Sequence, residues 1–128
     1  MARYTLSKQE RLSSLKDIDA LFESGLSFSK YPLRLVWRTP IEDPVSPVRV
    51  MFSVPKKKFS NAVDRNRVKR VLRENYRLLK PDFYEKLPKN MPLHLGIMYT
   101  GKELPEHGII QKSLSLALDR LITQIRKD

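Results

Sequence analysis

Residues 55–80 constrain this chain more than any other stretch. Pro55 to Arg77 contain nine lysines and arginines but only two acids, so 23 residues carry a net charge of +7 (nine minus two), out of a formal +11 for the whole chain. Charge at this density repels itself unless a polyanion neutralises it. The stretch therefore predicts a binding surface for an anionic partner, and nucleic acid comes first among such partners.

The same stretch has the signals of one long helix. Asn61 and Asp64 form a capping pattern, in which the Asn61 side chain accepts a hydrogen bond from the backbone N–H of Asp64, and this predicts a helix start near Ala62. Pro81 disfavours helical geometry in the residue before it, so the helix is expected to end at Lys80.

Helical periodicity divides the predicted helix into two faces. One face is apolar and is expected to pack on a core; it consists of Val68, Val71, Leu72, Leu78 and Leu79. The other face is basic, with four cations spaced by four residues and two polar neighbours: Arg65, Lys69, Arg73 and Arg77, with Asn66 and Arg70. Arginine predominates on it, and the planar guanidinium suits phosphate oxygens bidentately. This face is typical of a surface that binds a nucleic acid backbone.

Shorter elements surround that helix. A capping pattern at Ser14 and Asp17 begins a first helix, which Gly25 is expected to end. Alternating apolar residues predict strands at 33–37, 48–54 and 93–99, and 27–30 is a candidate for a further short strand. The connection 39–47 contains three prolines and suits a long antiparallel loop. From about Ile109, apolar residues at a spacing of three to four predict a final amphipathic helix.

This order of elements predicts an α+β two-layer sandwich. A chain of 128 residues, 41% of them hydrophobic, is expected to form one domain, 1–128, with residues 1–12 as a flexible basic lead-in. There is no apolar run of about 18 residues for a membrane span and no apolar core of a signal peptide. We therefore expect a soluble, cytoplasmic protein without membrane contact.

The chain is poor in residues that carry out chemistry. The absence of cysteine excludes disulfides, thiolate catalysis and a cysteine-based zinc site. The acids are scattered, so no carboxylate cluster is predicted for Mg²⁺, and His94 and His107 lack ligand spacing. We expect an RNA-binding subunit with no catalytic residue, no metal site and no cofactor of its own.

The chain resembles the bacterial ribonuclease P protein component. The resemblance is carried by the run from Val54 to Arg70, VPKKKFSNAVDRNRVKR, which combines a strand end, a lysine cluster and a basic helix at fixed spacing. The first helix and the order of the elements are also similar, so the resemblance covers most of the chain.

That resemblance implies a fold and a function. The fold is a small α+β sandwich with a left-handed crossover through the basic helix. The function is to assist a catalytic RNA, which holds Mg²⁺, in removing the 5′ leader from precursor tRNA. The partners are then the ribonuclease P RNA subunit and precursor tRNA, with a monomeric protein in the ribonucleoprotein.

The resemblance also implies two sets of site residues. Those expected to bind RNA are Lys56, Lys57, Lys58, Asn61, Arg65, Asn66, Arg67, Lys69, Arg70 and Arg73. A cleft between the first helix and the sheet is expected to hold the single-stranded leader. Phe22 and Trp37 match the aromatic residues of that cleft, and Ile18 stands where the family often has an aromatic residue.

Two other functions fit the basic helix. A structural RNA-binding protein, such as a ribosomal protein, would use the same helix, and the RNA that co-purifies would distinguish the two. A basic amphipathic helix lying on an anionic membrane is the weaker alternative, because so small a domain needs the apolar face of that helix for its core.

Overall fold

The computed structural model describes residues 6–40, 48–88 and 91–127. A short 3-10 turn, Lys8–Glu10, precedes seven elements. These are α1 (Leu15–Ser24), β1 (Leu26–Lys30), β2 (Leu33–Arg38), β3 (Val48–Ser53), α2 (Ala62–Lys86), β4 (Leu93–Tyr99) and α3 (His107–Lys127). The predicted α+β class and element order are confirmed, including the short strand β1.

The four strands form one mixed sheet in the order β1-β2-β4-β3. β4 lies between β2 and β3, antiparallel to β2 and parallel to β3. The strands β2 and β3 are therefore opposite in direction but are not neighbours, and most of the connection predicted to join them, residues 41–47, lies outside the described residues. The chain crosses from β3 to β4 through α2. The hand of this crossover stays a prediction.

The two faces of the sheet have different covers. The main core lies between the sheet and the helices α2 and α3, and its central strand residues include Leu35, Leu95 and Ile97. On the opposite face, α1 packs through Leu21 against Val36 in a smaller cluster. Because side chains alternate along a strand, each residue of β2 belongs to one face or the other.

α1 begins and ends as predicted. The Ser14 hydroxyl accepts a hydrogen bond from the backbone N–H of Asp17 at 3.3 Å. At the other end Gly25 has an ordinary φ of −74°. It is required for space, because a Cβ there would lie 2.3 Å from the carbonyl oxygen of Leu21 and 3.0 Å from that of Trp37. The helix thus ends where the chain turns directly into β1.

α2 is longer than predicted, and the expectation that it ends at Lys80 is wrong. It continues to Lys86 with Pro81 inside it. A proline in a helix interior costs about 3 kcal/mol, because it removes one backbone hydrogen bond and crowds the preceding turn. Here tertiary packing offsets that cost: Phe83 is 2% exposed and its ring meets the ring of Tyr76 edge-on at 6.2 Å.

The cap and the buried face of α2 also differ from the sequence prediction. The Asn61 side chain does cap the helix, but it accepts from the backbone N–H of Val63 at 2.7 Å and not from that of Asp64. Leu78, predicted to be in the core, is 53% exposed. The buried face instead passes from Val68, Val71 and Leu72 to Asn75, Tyr76, Lys80 and Phe83.

The segment 6–12 is packed on the domain, so the prediction of a flexible lead-in is wrong for these residues; residues 1–5 lie outside the described residues. Leu12 is buried, and its backbone N–H donates to the carbonyl oxygen of Val50 at 2.9 Å. Arg11 forms a parallel bridge with the same residue. The segment therefore covers the β3 edge of the sheet.

Glu10 fastens this segment to α2. Its carboxylate accepts a hydrogen bond from the Tyr84 hydroxyl at 2.6 Å and forms an ion pair with Lys80 at 3.0 Å. The side chains of Glu10 and Lys80 are only 12% and 5% exposed. Burial raises the pKa of Glu10, but hydrogen bonds from Tyr84, the Ser7 backbone and Lys80 outweigh it and hold this pKa below its usual value. Burial raises the pKa of Tyr84, so the phenol stays protonated and donates.

Candidate RNA interface

The N-terminal half of α2 presents a basic depression to solvent. Its lining residues are Val63, Asn66, Arg67, Arg70 and Arg73, around an open volume of about 460 Å³. We call this set the α2 basic surface. Its five residues are exposed, Val63 to 72%. Three guanidinium groups and one amide here provide many hydrogen-bond donors, and guanidinium groups suit phosphate oxygens.

This surface differs from the predicted row of residues spaced by four. Arg65 and Lys69 are half-buried at its border. Arg65 Nη1 donates to the carbonyl oxygens of Phe59 and Ser60, both at 2.8 Å. Arg65 therefore holds the loop before α2, while the exposed centre of the helix lies around Arg67 and Arg70.

The lysine cluster lies in the loop between β3 and α2. Lys56, Lys57 and Lys58 are all exposed. The Lys58 Nζ donates to the carbonyl oxygen of Thr100 at 2.7 Å and so ties this loop to the end of β4. Asn61 is exposed at the start of α2, where the positive end of the helix dipole adds to the attraction for anions.

Phe22 and Trp37, the two predicted cleft aromatics, are not brought together. Phe22 is on α1 and 46% exposed. Trp37 is 4% exposed and belongs to the main core, on the face of the sheet that α2 and α3 cover. The prediction that Trp37 lines a cleft beside α1 is therefore wrong, because a buried ring cannot stack on a base. Val36, one residue earlier, is the β2 side chain that faces α1.

The α1 side of the sheet carries a further basic residue that the sequence reasoning missed. α1 covers the row around Val36, and the next row along β2 and β4 contains Arg34 opposite Met98. Arg34 is exposed and its Nη2 donates to the Ser27 hydroxyl at 3.1 Å. The signal was present in the alternation of Arg34 with the buried Leu33 and Leu35, which predicts that it lies on the opposite face.

Within 6–40, 48–88 and 91–127, no group of three or more His, Asp or Glu side chains is placed to hold a metal ion. None of the helices in this part of the chain is long and apolar enough to cross a bilayer.

Comparison with known proteins supplies the family. The family model for ribonuclease P matches residues 6–104. The ribonuclease P protein component of Porphyromonas gingivalis strain W83 is 37% identical over 119 residues, which cover 92% of this chain and 87% of that protein. The corresponding protein of Chlorobium phaeobacteroides is 33% identical over 133 residues, covering 95% and 88%.

Solved structures agree with the fold. The ribonuclease P protein of Staphylococcus aureus superposes with a TM-score of 0.69 at 21% identity, covering 88% of this chain and 94% of that one. That of Thermotoga maritima has a TM-score of 0.68 at 22% identity, covering 87% and 96%.

These relatives decide against the ribosomal and membrane-surface alternatives. The family match includes α1, the lysine cluster and the whole α2 basic surface. The curated relatives extend over nearly the full chain at more than 30% identity. Because the family model spans more than half of the chain and these relatives match nearly all of it, the chain belongs to the ribonuclease P protein family and is the protein component of that tRNA-processing endoribonuclease.

Proposed function

We propose that this ribonuclease P protein binds its RNA subunit through the α2 basic surface and the lysine cluster, and the precursor tRNA leader through the opposite, α1 side of the sheet. The observation that carries the proposal is the depression on α2. Asn66, Arg67, Arg70 and Arg73 are exposed around it, whereas the apolar face of the same helix is buried. An RNA backbone supplies the phosphates that such a surface needs.

We place the cleavage chemistry on the RNA. Arginine is not deprotonated in proteins and lysine is protonated near neutral pH, so neither can serve there as a general base for water. Mg²⁺ is then held with the RNA subunit. One protein domain has both surfaces, so we propose that a single copy acts in each ribonucleoprotein, in the cytoplasm.

Reconstitution tests this division of labour. Rigorously RNA-free protein is expected to leave precursor tRNA intact. Addition of a bacterial ribonuclease P RNA and Mg²⁺ should give leader removal, with the largest stimulation at moderate salt, where repulsion between the two RNAs is poorly screened. Gel analysis of the 5′ end reports the product. Metal-dependent cleavage by the protein alone would overturn the assignment of catalysis to the RNA.

The leader proposal rests on the composition of the α1 side of the sheet. Phe22 is an exposed aromatic ring, and Arg34 is an exposed cation on the neighbouring strand surface. Single-stranded RNA is bound by aromatic rings that stack on bases together with cations that neutralise phosphates. In this proposal the precursor tRNA leader and the RNA subunit bind on opposite faces of the sheet.

Replacing Phe22 by alanine is expected to narrow the affinity difference between precursor and mature tRNA. The loss should be about 1–3 kcal/mol if one leader base stacks on the ring. The measurement is the Kd of the reconstituted holoenzyme for both tRNAs, with Leu15→Ala as the control, since Leu15 is a 77% exposed apolar residue of the same helix. An unchanged precursor preference in Phe22→Ala would remove Phe22 from the leader site.

A further inference from the structure

A second depression lies at the end of the sheet where β4 leads into α3. Its lining includes three apolar side chains that are well exposed: Tyr31 at 72%, Leu104 at 42% and Ile109 at 53%. The depression has a volume of about 520 Å³, within the range of ligand-binding sites. Exposed apolar side chains that converge on one concave site indicate a binding function.

The wall of this depression is held in place by hydrogen bonds. The Tyr99 hydroxyl donates to the carbonyl oxygen of Glu103 at 2.6 Å, and the Thr100 backbone N–H donates to that of Pro32 at 2.8 Å. Gly101 allows the chain to pass close to the Tyr99 ring, because a Cβ there would lie 2.4 Å from the phenol oxygen. These contacts fix the loop that forms the wall.

Its position links it to the RNA-binding surfaces. On one side the Lys58 Nζ is bonded to Thr100, so the lysine cluster borders the loop that forms the wall. On another side His107 Nε2, at the start of α3, lies 3.8 Å from a carboxylate oxygen of Glu74 on α2. The depression therefore lies next to the lysine cluster, and the start of α3 beside it contacts α2.

The side chains of the depression suit a base better than a phosphate. Glu103 and Glu106 lie on the rim with Lys102. Two carboxylates repel a phosphate, but they accept hydrogen bonds from the exocyclic amino groups of adenine, cytosine or guanine. The exposed Tyr31 ring offers a stacking surface for such a base, and Ile109 offers an apolar wall.

We propose that this depression receives one unstacked, amino-bearing nucleobase of the ribonuclease P RNA subunit. The proposal rests on the proposed binding of that RNA along α2. The depression belongs to the side of the sheet that α2 and α3 cover, whereas the leader surface is on the α1 side. The RNA subunit is therefore the source of the base, and it gains a contact that depends on base identity.

The test compares Tyr31→Ala and Ile109→Ala with wild-type protein. Tyr31→Ala should raise the Kd for the RNA subunit by about 5- to 100-fold, as loss of one stacked base does. Ile109→Ala, which removes the apolar wall, should raise the same Kd. The slope of log Kd against log salt should stay at the wild-type value, because no phosphate contact is lost. Dimethyl sulfate footprinting should show one base of the RNA subunit that the wild-type protein protects and both variants leave reactive.

Leu116→Ala is the matched control. Leu116 is an apolar residue of α3, as Ile109 is, and its exposure of 46% is similar to the 53% of Ile109. It does not line the depression, so this variant should bind the RNA subunit like wild type. Circular dichroism checks the fold of all three variants. Unchanged Kd and footprint in Tyr31→Ala and Ile109→Ala would overturn the proposal, as would a loss of affinity for precursor tRNA alone, which would assign the site to the leader. If Arg70→Ala weakens binding while the depression variants do not, only this inference fails and the proposed α2 function stands.

Discussion

Replacing Glu10 by alanine is expected to lower the free energy of unfolding by about 3–5 kcal/mol, the cost of breaking a buried ion pair from one side. The change removes the Glu10 carboxylate from beside the Lys80 ammonium, and the Lys80 side chain is only 5% exposed. It also removes the acceptor of the Tyr84 hydroxyl, 74 residues away in the chain. Urea denaturation followed by circular dichroism measures the loss.

The exposed ion pair of Lys86 with Asp82 is the matched control. These two groups are 3.0 Å apart but 46% and 70% exposed, so Asp82→Ala should cost at most about 1 kcal/mol. The combined change Glu10→Leu with Lys80→Met should restore much of the stability, because an apolar pair of similar volume needs no charge partner. We call the contacts of Glu10 with Lys80 and Tyr84 the Glu10 clamp. A Glu10→Ala variant that is no less stable than Asp82→Ala would contradict a stabilising role for this clamp.

The clamp also has a defined pH dependence. The folded-state pKa of Glu10 lies below that of the unfolded chain, about 4.3. The stabilisation is therefore fully present above that value and is lost as the pH falls through the folded pKa. Wild type and Glu10→Gln should differ most near neutral pH and approach each other in acid. Since Glu10 anchors the segment that carries Leu12 into the cluster under α1, the clamp also positions the proposed leader surface.

Arg67→Ala and Arg70→Ala are each expected to weaken binding of the RNA subunit by about 1–3 kcal/mol, the range of a charge-assisted hydrogen bond. Each change should also reduce the slope of log affinity against log salt by about 0.7–0.9, because one phosphate contact no longer releases counterions. Titrations of labelled RNA at several salt concentrations give both quantities.

Lys112→Ala is the control that distinguishes loss of a phosphate contact from a general loss of positive charge. Lys112 is an exposed cation of α3 outside the α2 basic surface, so its loss should leave the slope unchanged. If Lys112→Ala changed the affinity and the slope as much as Arg67→Ala or Arg70→Ala does, RNA binding would depend on the total charge of the protein and not on these contacts. Arg65→Ala removes two hydrogen bonds to the loop before α2. Unlike the changes at Arg67, Arg70 and Lys112, it should therefore lower the stability of the fold as well as the affinity for RNA.

Local signals were sufficient where the relevant interactions are local. The cap of α1 at Ser14, the strand alternation and the basic character of α2 all depend on neighbours within a few residues. Pro81 shows the limit of such signals. Its local cost is real, yet the helix continues because Phe83 finds a core that the sequence around it does not reveal.

The amino-acid sequence by itself determined the element types, the α+β class, the concentration of charge on one helix and the resemblance that identified the family. Strand alternation separates Trp37 from Val36, but only the tertiary structure decided that α1 covers the face of Val36 while α2 and α3 cover the face of Trp37. It alone joined Glu10 to Lys80 and Tyr84, and Tyr31 to Ile109 in one depression. These partners are 70 residues or more apart in the sequence. The periodicity of one helix or strand does not indicate which distant segment will pack against it.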